Sequence, residues 1–514
     1  MRQMRFRCYP LPSVKHLILP ILFCAPALAA DQPQWGQAWS RNMVSSETNL
    51  PETFDPASGK NLRWTVKLGT EGHSTPVVAG GKIYLGTNNG APRDPKHQGD
   101  RGVFCCLEEK SGNLLWQLVV PKRDEDQYFD WPNIGMSSVA TVEGDRVYLL
   151  TNRHEVVCLD ANGLTNGNDG SFQDEGRHMA PKSLPAMTPG PLDADILWCC
   201  DLVAEAGIWP HDGAHSSILI LGNHLYLNTC TGVDNTHRKI RTPDAPSLIV
   251  LDKRTGKILA RDRENIAPNV FHATWSSPSL GKLEGREVVF FCGGNGITYA
   301  FEPLPQSADG DSVATLRKIW QYDIDPEAPK TEVHRFTQNR REGPSNIFGM
   351  PVILGDRLYL AGGGDIFWGK AECWLKCVRA TGKGDVTGSA TVWSVPLGQH
   401  TMSTVAVMNG LVFVTDTAKT LHCRDAATGT AHWTHEMKGQ FWSSPMVADG
   451  KVYLGSRQGD FCILAASKEK KQLCSVELKS PISATATAAN GVVYIATMNA
   501  LHAIGHPLAA AAQP

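Results

Sequence analysis

Short apolar alternations recur along this chain, each led by a turn residue and carrying an aromatic or β-branched centre. The phrases "GKIYLGT" at 81, "DRVYLLT" at 145, "NHLYLNT" at 223 and "REVVFFC" at 286 are followed by "DRLYLAG" at 356, "GLVFVTD" at 410, "GKVYLGS" at 450 and "GVVYIAT" at 491. A two-residue period behind Gly, Asn, Asp or Arg predicts eight short strands. Ahead of each lies another: "HSTPVV", "MSSVAT", "HSSILI", "WSSPSL", "FGMPVI", "MSTVAV", "WSSPMV" and "ISATAT". Behind each comes a third, fullest in "GVFCCLEEKSGNLLWQ" at 102–117. One column of that third strand reads Cys106, Cys158, Val250, Ala300, Cys377, Cys423, Ile463 and Ala503. A cysteine that alternates there with Val, Ala and Ile behaves as a small buried apolar residue, which argues against a redox pair at Cys105–Cys106.

A fourth strand opens with tryptophan in five copies: Trp116, Trp198, Trp320, Trp393 and Trp433. Arg261 and Cys474 take that place in two others. The last copy lacks a fourth strand before the C-terminus, but Trp64 in "NLRWTVKL" supplies one from the other end of the chain. Four strands per unit, eight units and an N-terminal strand completing the last sheet predict an all-β, eight-bladed β-propeller of four-stranded antiparallel blades. The turn between the third and fourth strands holds Gly112, Gly256 or Gly429 where φ is positive. Its tryptophan should bury a face against the neighbouring blade.

Composition refines this picture. The net charge is −2, with no basic surplus to neutralise phosphates, so nucleic acid is excluded as the expected partner. Arg2, Arg5, Arg7 and Lys15 precede the apolar "HLILPILFC" and the small-residue "ALA" at 27–29, a secretory leader pattern. Residues 1–30 are therefore expected to leave as a signal peptide, and the protein to act in the periplasm or as a secreted product. Residues 31–60 form a lead-in, 61–505 the propeller and 506–514 a tail. No later stretch reaches about 18 apolar residues, so no transmembrane anchor is expected. Twelve cysteines follow the leader, without a C-x-x-C-H haem signature or a second pair to complete a zinc set with Cys373 and Cys377.

These repeats resemble the pyrroloquinoline quinone-type propeller repeats with their tryptophan docking motif. The phrases "QPQW", "DANGLTNGNDGSFQDEG", "WPHDGAHSS", "PSLIVLDKRTGK" and "FHATWSSPSLG" are similar to a secreted bacterial subgroup of quinoprotein alcohol dehydrogenase-like propellers. The resemblance implies the fold. For activity it admits quinone dehydrogenases, outer-membrane assembly factors and other binding proteins. In the dehydrogenases it implies pyrroloquinoline quinone held between a tryptophan and a disulfide of adjacent cysteines, with calcium polarising the quinone and an aspartate as base. The adjacent pairs here, Cys105–Cys106 and Cys199–Cys200, fall inside predicted strands, where a strained vicinal disulfide would disturb the ladder.

The candidate chemistry collects at one face. Three residues before the proline or its equivalent in the first strand stand His73, Met136, His215, Trp275, Phe348, Met402, Trp442 and Ile482. In a propeller this column rims the central channel, either as an apolar plug or as a stacking surface for a flat ligand. The loops between second and third strands are long in units one, three and five, where repeat proteins carry function. A channel-mouth site is expected from His211, Asp212, His215, Trp275 and Trp442, with Arg341 and His400 nearby, suited to a planar or anionic small molecule. His211, Asp212 and His215 could meet a metal, serve as acid and base, or simply hydrogen-bond their own loop. Asp160, Asn162, Asn166, Asn168 and Asp169 offer hard oxygen atoms suited to calcium, and an Asx-rich turn accounts for the same residues. The leading expectation is a non-catalytic binding or scaffolding propeller, expected monomeric, with a small molecule or an envelope protein as partner. The alternatives are a quinone-dependent alcohol dehydrogenase and an outer-membrane assembly factor.

Overall fold

The computed structural model describes residues 30–123, 129–308 and 312–507. The leader expected at 1–30, all but its last residue, and the end of the expected tail lie outside the described residues. Among the described residues, eight sheets stand in a ring. The first consists of Val77–Ala79, Lys82–Asn88, Arg101–Glu108 and Leu114–Pro121, each strand antiparallel to the next. The eighth consists of Thr487–Ala489, Val492–Ala496 and Ala500–Ile504, with Leu62–Lys67 as its outermost strand. The ring is therefore closed by an N-terminal strand, as the repeat count requires. Two blades depart from four antiparallel strands. Ala314–Thr315 and Gly384–Asp385 add short fifth strands, paired parallel, to the third and fourth sheets. Each comes from an extended third-to-fourth-strand connection of the following blade, whose backbone lies along its neighbour's outer edge.

The small-residue column has a geometric cause. Cys106 lies opposite Tyr84 on one side and Trp116 on the other, and Cys158 opposite Tyr148 and Trp198. Cys423 sits likewise between Phe413 and Trp433. A larger residue between two rings would force them apart. In the third blade the partner of Val250 is Ala260, so Ala260 rather than Arg261 holds the tryptophan position. Cys105 and Cys106 point to opposite faces of one strand and enter different hydrophobic clusters. All cysteines among the described residues are unpaired, and burial raises the Cys106, Cys158 and Cys423 thiols to about 12.

In six of the eight blades, all but the third and the seventh, a tryptophan docks the blade on the next. The indole N–H of Trp64 donates to Glu109 O at 3.2 Å, Trp116 to Ala161 O at 3.0 Å and Trp393 to Ala426 O at 3.1 Å. Gly112 and Gly429 have φ of 76° and 74° and lie under Trp64 and Trp393. A Cβ there would come within 2.9 and 2.8 Å of the rings, so both the backbone and the packing need glycine. The seventh blade has no such tryptophan. Leu50 and Phe54 of the lead-in fill the space, packed with Phe461 and Cys474 between blades seven and eight.

The innermost strand of each blade leaves an edge facing the channel. Hydroxyls of the "SS", "ST" and "SAT" phrases bridge these edges. Ser74 Oγ donates to Ser138 O and Ser138 Oγ to Ala214 O. Ser277 Oγ accepts from Ser217 N, and Ser276 Oγ donates to Gly349 O. Thr404 Oγ1 accepts from Met350 N, Ser444 Oγ from Thr404 N, Thr485 Oγ1 from Ser444 N and Thr75 Oγ1 from Thr485 N. These bonds join every adjacent pair of blades around the ring.

The lead-in closes one end of the channel. Its backbone bonds to Val78, Val142, Leu280, Ile353, Val405 and Val447, and Ser45 Oγ reaches Ala488 O. Arg41, with 0 % of its surface exposed, anchors this strap in the third and fourth blades. Its guanidinium donates to Pro278 O, Trp35 O, Ser217 Oγ and Ser217 O at 2.8–3.1 Å. Burial pulls its pKa down to about 9, which still leaves it charged near neutrality. Neutral oxygens, together with the Trp39 ring centred 5.9 Å from the guanidinium carbon, therefore satisfy this buried cation.

Two outcomes test this architecture. A chain beginning at residue 69 lacks both strap and closing strand, and is expected to lose the parent's cooperative thermal transition; retention of the parent's midpoint would refute the closure. Arg41→Met keeps the apolar stem but strands three buried carbonyls, each worth about 1–3 kcal/mol. Chemical denaturation should show a loss of about 3 kcal/mol or more.

Candidate functional site

Where the first strands begin, at the end of the channel away from the strap, lies a cavity of about 910 Å³. His73, His215, Trp275, Phe348, Met402 and Trp442 of the mouth column wall it, and Trp35 of the strap reaches it from below. Phe367 and Trp368 of the fifth blade's long loop and Arg340 of the preceding connection stand at its rim. The column is neither all plug nor all surface. Trp275 is buried and stacks on Phe348 with ring centroids 4.8 Å apart. Trp442 is half-buried, with the Arg457 guanidinium 4.3 Å from its ring centre. Met136 and Ile482 are buried and do not line the cavity.

Of the residues singled out in the sequence, Asp212, His215, Trp275 and Trp442 line this cavity. His211 is fully buried behind Asp212. Arg341 does not line the cavity; Asn339 Oδ1 accepts the N–H groups of Arg341 and Glu342 in a turn that leaves Arg341 exposed. Its neighbour Arg340 is the inward residue, bonded to the carbonyls of Ile366, Phe367 and Gly369. His400 is buried outside the lining, its pKa lowered by burial.

Two histidines absent from the sequence-based site join His211 and Asp212. His237 comes from the long loop of blade three and His272 from the connection between blades three and four. His211 Nε2 lies 3.1 Å from His237 Nε2 and 3.4 Å from Asp212 Oδ2, and His272 Nε2 lies 3.2 Å from the same oxygen. One ligand atom from each of the four residues lies within 4.8 Å of the others. His272 Nδ1 meets Asp365 Oδ2 at 3.1 Å. His215 is not part of this group; its ring packs on Trp275 at 4.8 Å. The backbone is left-handed at Asp212, Cys230 and His237, with φ of 60°, 58° and 57°. Three such non-glycine residues around one cluster are a form of strain that gathers at functional sites.

Burial alone would lower all the imidazoles. It takes His211 and His215 down to about 3, so both are neutral. For His272 burial is outweighed by Asp365 and Asp212, which hold it up at about 9. Asp365 and Asp212 are correspondingly lowered against their own burial, chiefly by His272.

Residues 37–170 and 382–477 match a family model described as outer membrane protein assembly factor BamB. Together with the eight blades, this decides the kind of repeat. The chain is an eight-bladed propeller whose repeats, over the matched segments, are of the pyrroloquinoline quinone-like kind. Among solved structures, BamB from Moraxella catarrhalis is 14% identical, with 86% of this chain and 98% of that chain covered at a TM-score of 0.52. A computationally designed protein, Ika8, is 10% identical, with 90% of this chain and 99% of that chain covered at a TM-score of 0.48. No curated protein matches the chain.

In this propeller repeat protein, the stretch between the two matched segments carries His211, Asp212, His237, His272, Arg340 and Asp365. The cluster thus sits on blades and loops that the family model does not reach. The quinone sandwich implied by the resemblance does not fit the residues present. The cavity lining contains no cysteine, and the adjacent pairs Cys105–Cys106 and Cys199–Cys200 lie within strands Arg101–Glu108 and Ile196–Asp201. The neighbouring cluster is rich in imidazole rather than in the hard oxygens that calcium prefers.

The asparagine-rich loop of blade two is arranged differently from its sequence. Asp160 and Asp169 come together with Asp195, their oxygens within 4.8 Å. Asn162 Oδ1 accepts instead from Lys82 Nζ, Asn168 Nδ2 donates to Glu175, and Asn166 ends a short 3-10 turn, Gly163–Asn166. Asp195 is fully buried, and burial together with Glu175, Asp160 and Asp169 raises it to about 6 against the N–H bond from Asp169. The folded protein then holds a proton that the unfolded chain has released, so stability falls as pH rises from about 4 to about 6. In chelator, Asp195→Asn is expected to melt above the parent at pH 7 and level with it at pH 4. A difference that widens on acidification would show that the Asp195 carboxylate is not the strained group.

Proposed function

We propose that this propeller is an extracytoplasmic binding protein that takes a flat small molecule rich in acceptor oxygens into the channel-mouth cavity. The observation that carries the reading is a set of unpaired donors. The indole N–H groups of Trp35, Trp275 and Trp442 and the hydroxyls of Ser137 and Ser216 are buried without hydrogen-bond partners, and all five residues line the cavity. An unpaired buried donor costs about 1–3 kcal/mol, and a ligand oxygen would recover that cost. Trp442 and Trp368 present rings for stacking, and Arg340 and Arg457 favour an anionic group. The role proposed is binding, with no reaction assigned.

Support for a periplasmic or secreted location comes from the leader pattern at 1–30 and from the description of the matching family model. Among the described residues no helix is long and apolar enough to cross a membrane. That description also supports a second reading, an envelope protein that assembles with protein partners through the matched blades.

Tryptophan fluorescence titrated with planar aromatic di- and tricarboxylates, pyrroloquinoline quinone among them, tests the first reading. At least one should saturate the parent. Trp442→Ala should then lose about tenfold or more in affinity while keeping its stability within about 1 kcal/mol, since stacking contributes about 0.5–1.5 kcal/mol and each donor bond a similar amount. If Trp442→Ala instead costs about 3–5 kcal/mol of stability, as in a packed core, the column is a plug. Failure of every probe, with envelope proteins captured by the parent, would favour the second reading.

A further inference from the structure

We propose that His211, His237, His272 and Asp212 bind one divalent transition-metal ion of the zinc class at the wall of the cavity. The first warrant is convergence. One ring nitrogen from each histidine and a carboxylate oxygen of Asp212 come from three separate segments of blades three and four, yet all lie within 4.8 Å of one another. Around zinc with bonds of about 2.0–2.1 Å, tetrahedral ligand atoms stand about 3.3 Å apart. The closest separations here are 3.1, 3.2 and 3.4 Å. Three of the six separations already match that spacing, and the others do not exceed 4.8 Å.

The second warrant is the orientation of His272. Metal-bound histidine characteristically gives its other ring nitrogen to a carboxylate, which fixes the tautomer and aims the free nitrogen at the ion. Asp365 does this at Nδ1 of His272. Asp365 is itself held rigid: its Oδ1 accepts from Phe367 N and Trp368 N, and its Oδ2 from Asn346 Nδ2. The third warrant is Asp212. Its Oδ1 is buried without a hydrogen-bond partner, whereas Oδ2 lies within reach of both His211 and His272. Three imidazoles with one carboxylate suit zinc, copper, nickel or iron better than calcium or magnesium. On binding, the protons shared between the ring nitrogens and Asp212 pass to solvent. Asp212 and His237 also line the cavity, so a molecule bound there meets the ion's edge.

This inference stands apart from the ligand reading, because metal uptake is measured with no organic molecule present. The full mature chain, stripped with chelator, is titrated with Co²⁺ and then Zn²⁺. One equivalent of Co²⁺ should produce visible d–d absorption, which one equivalent of Zn²⁺ abolishes. His237→Ala, placed on a half-buried loop, should weaken binding by about 100-fold or more. Asp365→Asn, which perturbs a positioning residue, should weaken it by about 10–100-fold and alter the Co²⁺ spectrum. If His237→Ala fails to fold, Asp212→Asn is read in its place. A parent that takes up no stoichiometric metal, or a folded His237→Ala or Asp212→Asn variant that binds Co²⁺ as the parent does, overturns the proposal.

Discussion

Each blade of this ring has an innermost strand whose free edge faces the channel, and the structure depends on satisfying those edges. A sheet edge left open in a channel carries backbone donors and acceptors that must find partners. Here hydroxyls pass from blade to blade around the ring, from Ser74 through Ser138, Ser277, Thr404 and Ser444 to Thr485 and back to Thr75. The strap adds the remaining bonds from one side, with Arg41 as its buried pin. The outer blade surfaces are held differently, by tryptophans seated on glycine turns. Inner hydroxyls and outer indoles thus fix the same blade spacing at two radii.

That rigid ring leaves one end of the channel available. Because the strap occupies the other end, the cavity is a blind pocket floored by Trp35 rather than a through-channel. Its aromatic walls come from first-strand positions that the ring holds in place, and its polar groups come from longer loops above them. Chemical variety therefore concentrates on blades three to five, where loops bring His237, His272, Asp365 and Arg340 to one side. This stretch lies between the two matched family segments.

The electrostatics of that site follow from burial opposed by pairing. His211 and His215 are kept neutral by burial, whereas His272 is held charged between two carboxylates in the absence of an ion. The buried indole and hydroxyl donors of five cavity-lining residues are unsatisfied, and the left-handed backbone at Asp212 and His237 of the cluster adds strain. A ring as extensively bonded as this one can hold such costly features in place.

The blade count, the strand order, the closing strand and the small-residue column were legible in the sequence. Each rests on local chemistry repeated eight times: alternation, turn glycines, a docking tryptophan and a residue small enough to sit between two rings. His215, Trp275 and Trp442 could be placed at the mouth for the same reason, since they hold fixed positions in a repeated phrase, and Asp212 followed as the residue three places ahead of His215. His237 and His272 could not. They lie in connections of irregular length, and only the tertiary path of those loops brings their nitrogens to His211. The signal was present, a histidine in each of "WPHDGAH", "NTH" and "FHATW", but no period related them. Arg341 and Arg340 differ by one place in a turn, and the Asn339 cap decided which faced inward. The asparagines of the blade-two loop were drawn to Lys82 and Glu175, partners distant enough in the chain to be hidden from sequence spacing. Repetition made the ring predictable, while the site is built from what does not repeat and needed the folded chain to assemble it.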